Sequence, residues 1–166
     1  MNRIIIIGCG GAGKSTLARK LGEKLDLPVV HLDKLFWNPG WEHKTREEFD
    51  ALLAEELAKD RWILDGNFDR TLTMRMARCD TVIYLDFNRV ACLLGVLKRV
   101  ITTYGRVRPD MGDGCPEKFD LQFLKWVWGF NKDKRESYYK MLNETEGIET
   151  IVLKNRRMVK RFLKSI

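Results

Sequence analysis

The sequence predicts an α/β fold in three layers, a five-stranded parallel sheet with helices on both faces. Three observations lead there. Short β-branched runs alternate with segments of helical spacing. The runs are apolar throughout, as strands covered on both faces are. The first of them passes directly into a glycine-rich turn and a helix, "IIIIGCGGAGKST", residues 4–16.

Each element has its own signal. Residues 3–7 read as a buried strand, and 14–25 as a helix with Leu17, Leu21 and Leu25 on one face. Residues 29–32 follow Pro28 as a second strand. Thr45-Arg46-Glu47-Glu48 is a capping box that opens a helix to about 59, with Phe49, Leu52, Leu53 and Leu57 inward. Residues 61–64 and 81–85 are the third and fourth strands. Asn88 caps a helix running to about 104, which Gly105 ends. Residues 106–118 hold two prolines and two glycines and read as loop. Residues 120–142 are helical, with a break expected near Gly129, and 150–153 form the fifth strand. Asn155 caps a final basic helix. No repeat, low-complexity tract or interdomain linker interrupts the chain, and 166 residues are expected to form one domain. Segments 33–45 and 106–118 are expected to stand off the core.

Hydrophobic residues at 45% and charged residues at 32% match a soluble globular protein and exclude a disordered chain. No apolar run is long enough to cross a bilayer, and the run at 4–7 is too short for a secretory leader. The four cysteines form no C-x-x-C pair and no zinc or disulfide framework, so reduced thiols in the cytoplasm are expected. A net charge of +7 favours anionic partners: nucleotides, phosphorylated metabolites or nucleic acid.

The turn carries the strongest chemistry. Gly8-Cys-Gly10-Gly11-Ala12-Gly13-Lys14-Ser15 matches G-x-x-x-x-G-K-[ST], followed by Thr16. Glycines allow a tight path in which successive N–H groups can cradle phosphate, and the helix that follows adds its positive end. Lys14 can reach the β- and γ-phosphates, and the Ser15 hydroxyl can ligate Mg²⁺. The loop is therefore expected to hold ATP or another nucleoside triphosphate with Mg²⁺.

A second stretch, "RWILDGNFDR" at 61–70, delivers Asp65 to the carboxyl end of a strand, where open α/β sheets bind ligands. Asp65 can order Mg²⁺-bound water beside Ser15. Asp86, ending the fourth strand, is its rival; Gly66 beside Asp65 leaves room for a ligand and favours Asp65. Arg70 can grip a phosphate through two hydrogen bonds. Asn131-Lys132-Asp133-Lys134 lacks the last acid of the guanine-binding N-K-x-D motif and reads as a solvated charged stretch.

The phosphate loop, "LDGNFDRT" and the late arginines resemble the adenylate-kinase-like nucleoside monophosphate kinases. One extra residue before Arg70 and a missing proline set this chain apart from their motif. A longer resemblance covers nearly the whole chain. "HLDKLFWNPGW", "WILDGNF", "VIYLDFNR" and "RPDMGDGCPEKFDLQFLKW" are similar to proteins of the DNA topology modulation family. That resemblance implies a small P-loop NTPase fold with strand order 2-3-1-4-5, ATP binding and kinase chemistry. It also implies an acceptor-binding segment at about 33–60 and a lid at about 105–118. Arg99, Arg106, Arg108 and Arg135 are the lid-side candidates for closing over the triphosphate. Asp110 and Glu117, in the same motif, can equally make structural ion pairs.

On the acceptor side the candidates are Asp33, Trp37, Gly66, Asn67 and Arg70. In shikimate kinase and its relatives an acid at the place of Asp33 binds acceptor hydroxyls, so Asp33 is the candidate for orienting one here. Trp37 and Trp41 can stack on a ring or pack beneath their own segment, and His31 reads as a strand-end residue. Lys154, Arg156, Arg157, Lys160, Arg161 and Lys164 load the last helix. That pattern fits a terminal helix with Met158, Val159 and Phe162 inward, or a DNA-binding helix. Two readings follow: an ATP- and Mg²⁺-dependent kinase of a small-molecule acceptor, nucleoside monophosphate kinase-like or shikimate kinase-like, or a nucleotide-regulated DNA-binding protein.

Overall fold

The computed structural model describes residues 1–166. In chain order the elements are β1 (Arg3–Gly8), α1 (Lys14–Leu25), β2 (Val29–His31), α2 (Leu32–Phe36), β3 (Trp37–Asn38) and β4 (Glu42–His43). There follow α3 (Arg46–Leu57), β5 (Trp62–Asp65), α4 (Leu72–Met76), β6 (Thr81–Leu85) and α5 (Arg89–Thr103). The chain ends with α6 (Leu121–Glu144), β7 (Glu149–Leu153) and α7 (Arg156–Ser165).

The main sheet has five parallel strands in the order β2-β5-β1-β6-β7. Counting only its own strands, this is the expected 2-3-1-4-5. β1 lies at the centre, and Ile4, Ile5, Ile6 and Ile7 are fully buried there. Each such side chain contributes about 1.5–3 kcal/mol on leaving water. Helices cover both faces because every central strand is apolar on both sides. The order places β1 between β5 and β6, so the loop after β1 opens into the gap between the β2–β5 half and the β6–β7 half.

Most expected boundaries hold to within a residue or two. The Thr45–Glu48 capping box is formed in both directions. Asn88, Asp120 and Asn155 each accept a first-turn amide, from Ala91, Phe123 and Met158. Gly105 ends the region of α5 with φ +69°. Three features differ from the sequence reading. α6 runs unbroken through Gly129, because Val127 and Phe130 on either side of it are buried in the core and hold the helix there. Segment 32–43 is not an open loop but a short helix and a two-stranded hairpin. Segments 33–45 and 106–118 do not stand off independently: they pack on each other. Gly40 N donates to Gly114 O at 3.0 Å, and the Cys115 thiol donates to Asn38 O at 3.1 Å. All four cysteines are buried free thiols. No helix is long and apolar enough to cross a membrane.

Candidate active site

Between β1, α1 and the segments that follow β2, β5 and α5 lies a cleft of about 760 Å³. Its floor is the glycine loop. Gly11 has φ +79° and lies so close to α5 that a Cβ there would meet the Cys92 carbonyl at 2.1 Å. Gly13 has φ +97°, caps α1 without a side-chain acceptor, and has open space where a Cβ would stand. The first-turn amides of α1 are thus left to the cleft, together with the helix's positive end. Lys14 Nζ donates to the carbonyls of Gly8 (2.8 Å) and Cys9 (3.2 Å), which folds the ammonium over the loop.

The expected loop residues Gly10, Gly11, Ala12, Gly13, Lys14, Ser15 and Thr16 all line the cleft. Gly8 does not line it; its N–H donates to Asn67 Oδ1 at 3.0 Å, which ties the β5 loop to the phosphate loop. Asp33, Asp65, Gly66, Asn67, Arg99 and Arg108 also reach the cleft.

Asp65 is only 5% exposed. Its Oδ2 lies 2.8 Å from His31 Nδ1. A carboxylate can only accept, so the imidazole donates from Nδ1. Asp65 Oδ1 is buried without any hydrogen-bond partner in the chain. Asp33 is half-buried in the cleft and makes no hydrogen bond of its own. Loss of solvent, and next the Asp65 charge, push its carboxyl above the usual range. For Asp110, burial works against ionisation, but Arg108 and the Ser15 hydroxyl outweigh it and hold the carboxyl below the usual range. Arg108 pairs with Asp110, and its Nε lies 2.8 Å from Glu117 Oε2. Arg99 Nε reaches the same Glu117 oxygen at 3.0 Å, as a charge contact rather than a well-directed hydrogen bond.

Four further expected site residues lie elsewhere. Arg70 is exposed and bound to Asp50 of α3 by two hydrogen bonds of 2.6 and 2.8 Å, outside the cleft. Arg106 is exposed at the base of the 106–118 segment and does not line the cleft. Arg135 is drawn to Asp86, at 2.8 Å, on the β6 side. Trp37 packs edge-on against Trp41 and Phe36 rather than into the cleft. Asp86 is buried and does not line the cleft, and Arg135 and Tyr139 donate to its Oδ2.

Other residues enter that the sequence reading did not single out for the cleft. Arg75 of α4 is fully buried. Its guanidinium donates to the carbonyls of Gly66, Asn67 and Phe68 and so shapes the loop after Asp65. Burial pushes it down to about 10. No spacing announces a residue whose partners are main-chain carbonyls. Asp110 was legible only as a member of the 108–126 motif. Arg156 and Lys160 of the basic last helix line the cleft beside Arg19 and Lys20 of α1, while Met158, Val159 and Phe162 pack on the core.

The whole chain superposes on solved shikimate kinases. That of Bacteroides thetaiotaomicron matches with a TM-score of 0.58 and 16% identity, over 99% of this chain and 95% of that one. That of Acinetobacter baumannii, in complex with shikimate, matches with 0.60 and 16%, over 99% and 90%. At such identity the likeness establishes the fold alone, the one these shikimate kinases have. No protein-family model matches the chain, and no curated protein does. The resemblance to DNA topology modulation proteins therefore gains no support from them.

Proposed function

We propose that this protein is an ATP- and Mg²⁺-dependent phosphotransferase that moves the γ-phosphoryl group to a hydroxyl of a small-molecule acceptor. The observation that carries the reading is the meeting of two devices in one cleft. A phosphate cradle with Lys14 and Ser15 forms the floor, and the carboxylates of Asp33 and Asp65 stand at the strand ends beside it.

The residues fit a magnesium ion: Ser15 and Asp65 would hold it, since Asp65 Oδ1 is a buried acceptor that nothing in the chain satisfies. Bound there, the metal would neutralise phosphate charge. The remaining work belongs to the chain. The loop amides and the α1 N-terminus hold the polyphosphate. Lys14 exchanges the carbonyls of Gly8 and Cys9 for phosphate oxygens and stabilises charge on the moving group. Arg99 and Arg108, fixed by Glu117, supply positive charge from the opposite wall. Asp33 orients the acceptor hydroxyl and takes its proton as the new O–P bond forms and the bond to the β–γ bridging oxygen breaks. A carboxyl whose affinity for protons is raised is suited to that role.

Lys14→Ala tests the donor half. Calorimetry with MgATP is expected to show binding by the native chain, weakened by about 2–4 kcal/mol in the variant, the scale of a charge-assisted site. Equal affinity of the two would remove the basis of the proposal. The alternative of a DNA-binding last helix gains no support: Arg156 and Lys160 line the cleft, and Lys154, Arg157, Arg161 and Lys164 are exposed with no partner that marks a nucleic-acid site.

A further inference from the structure

The cleft is polarised. Lys98 and Arg99 on α5 and Arg156 and Lys160 on α7 bring positive charge from the elements that follow β6 and β7. The half built after β2 and β5 is lined by two acids, Asp33 and Asp65, and by no cation, while Arg108 and Asp110 reach the cleft from the segment after α5. Arg108 is held by Asp110 and Glu117, and in the kinase reading its charge serves the triphosphate rather than the acceptor. Arg70, the nearest alternative in sequence, is spent on Asp50 outside the cleft. The acids are not spent in the same way. Asp33 has no hydrogen-bond partner, and Asp65 Oδ1 is an unpartnered acceptor on a side chain 95% removed from solvent. In the kinase reading the unpaired oxygen of Asp65 serves the metal, which leaves Asp33 as the free charge on the acceptor wall.

An acceptor bearing a carboxylate or phosphate would bring a negative group into this half with no free cation to receive it. Like charges at such separations repel strongly where solvent is scarce. Hydroxyls and ammonium groups, by contrast, are donors, and donors are what Asp33 lacks. We infer that the acceptor is a small hydroxyl compound without anionic groups, either neutral or carrying an ammonium, whose reacting hydroxyl is received by Asp33. The inference rests on the kinase reading and narrows it. It sets this site apart from one that takes an acid or a nucleotide as acceptor. The balance of the step is unchanged: ATP and R–OH give ADP and R–O–phosphate, with the hydroxyl proton passing to Asp33 and on to solvent.

The test uses the full chain with Mg²⁺ and γ-labelled ATP. A metabolite extract is divided by ion exchange into cationic, neutral and anionic fractions, and each is offered separately. Label is expected in a new phosphomonoester from the cationic or the neutral fraction, at least tenfold above the anionic one. A product arising chiefly from the anionic fraction overturns this inference and leaves the kinase reading standing. No labelled product from any fraction overturns the kinase reading, and the inference with it. Asp33→Asn then isolates the residue. With the labelled acceptor, its kcat/KM is expected to fall tenfold or more, while the KM for ATP moves less than threefold. Native kcat/KM in that variant overturns the role given to Asp33.

Discussion

Asp33 shows how a single side chain couples function to stability. Its carboxyl is raised, by lost solvent first and by Asp65 next, so the folded chain binds its proton more tightly than the unfolded chain does. The penalty is absent at low pH, where both states are protonated. It grows as pH rises through the unfolded value near 3.8 toward the raised folded one, and it is complete above that. Asp33→Asn is therefore expected to melt at higher temperature than the native chain at pH 7, with the difference shrinking toward pH 3. Thermal denaturation at the two pH values measures both, and a variant less stable than the native chain at pH 7 contradicts the sign. Arg75 makes the opposite case. Its guanidinium, fully buried, satisfies three main-chain carbonyls. Arg75→Met removes a buried charge but strands those carbonyls, each worth about 1–3 kcal/mol unsatisfied. A net loss of about 2–4 kcal/mol is expected in urea denaturation, and MgATP affinity should fall with it, because the loop that presents Asp65 and Asn67 loses its anchor. Retention of both would show that the loop holds itself.

At the scale of elements, the junction of α5 with the phosphate loop matters most. Gly95 lies mid-helix, where glycine costs about 1 kcal/mol relative to alanine. Its presence is explained by contact: a Cβ there would stand 2.2 Å from the Gly11 carbonyl oxygen. Gly95→Ala must push α5 off the loop or distort the loop itself. Overpacking of this kind costs about 1–3 kcal/mol, so MgATP is expected to bind about tenfold more weakly. Calorimetry decides it, and native affinity would mean that α5 yields without disturbing the cradle. Long elements were legible because their signals are repeated. The caps at Thr45, Asn88 and Asn155 and the inward leucines of α1 follow from side-chain chemistry and period alone. The five-residue helices α2 and α4 are too short to show a period, and β3 and β4 pair over two residues each. Those pieces exist through contacts made by distant parts of the chain.

The whole molecule decides which charges are available, and this is where sequence reading reached its limit. Lys14, Ser15, Asp33 and Asp65 were legible because each stands at a strand end or in a motif with a fixed backbone path. Arg70, Arg106 and Arg135 were not correctly placed, because a long side chain goes to whichever acid tertiary packing offers, or to solvent. The same packing joins segment 106–118 to the hairpin after α2. Gly112 lies against the main chain of Trp37, where a Cβ would meet the carbonyl oxygen at 2.3 Å. The Cys115 thiol and the Gly114 carbonyl close the seam on Asn38 and Gly40. This seam holds Arg108 and Asp110 over Ser15, so its loosening should act on the segment as a unit. Gly112→Ala is expected to separate the two segments while leaving the sheet intact. Hydrogen exchange at 105–118 should quicken by about tenfold, the equivalent of about 1.4 kcal/mol of local opening, with β1 and β6 unchanged. Unchanged exchange in that segment would mean that the arginine–glutamate network of Arg99, Arg108 and Glu117 holds it without help from the seam.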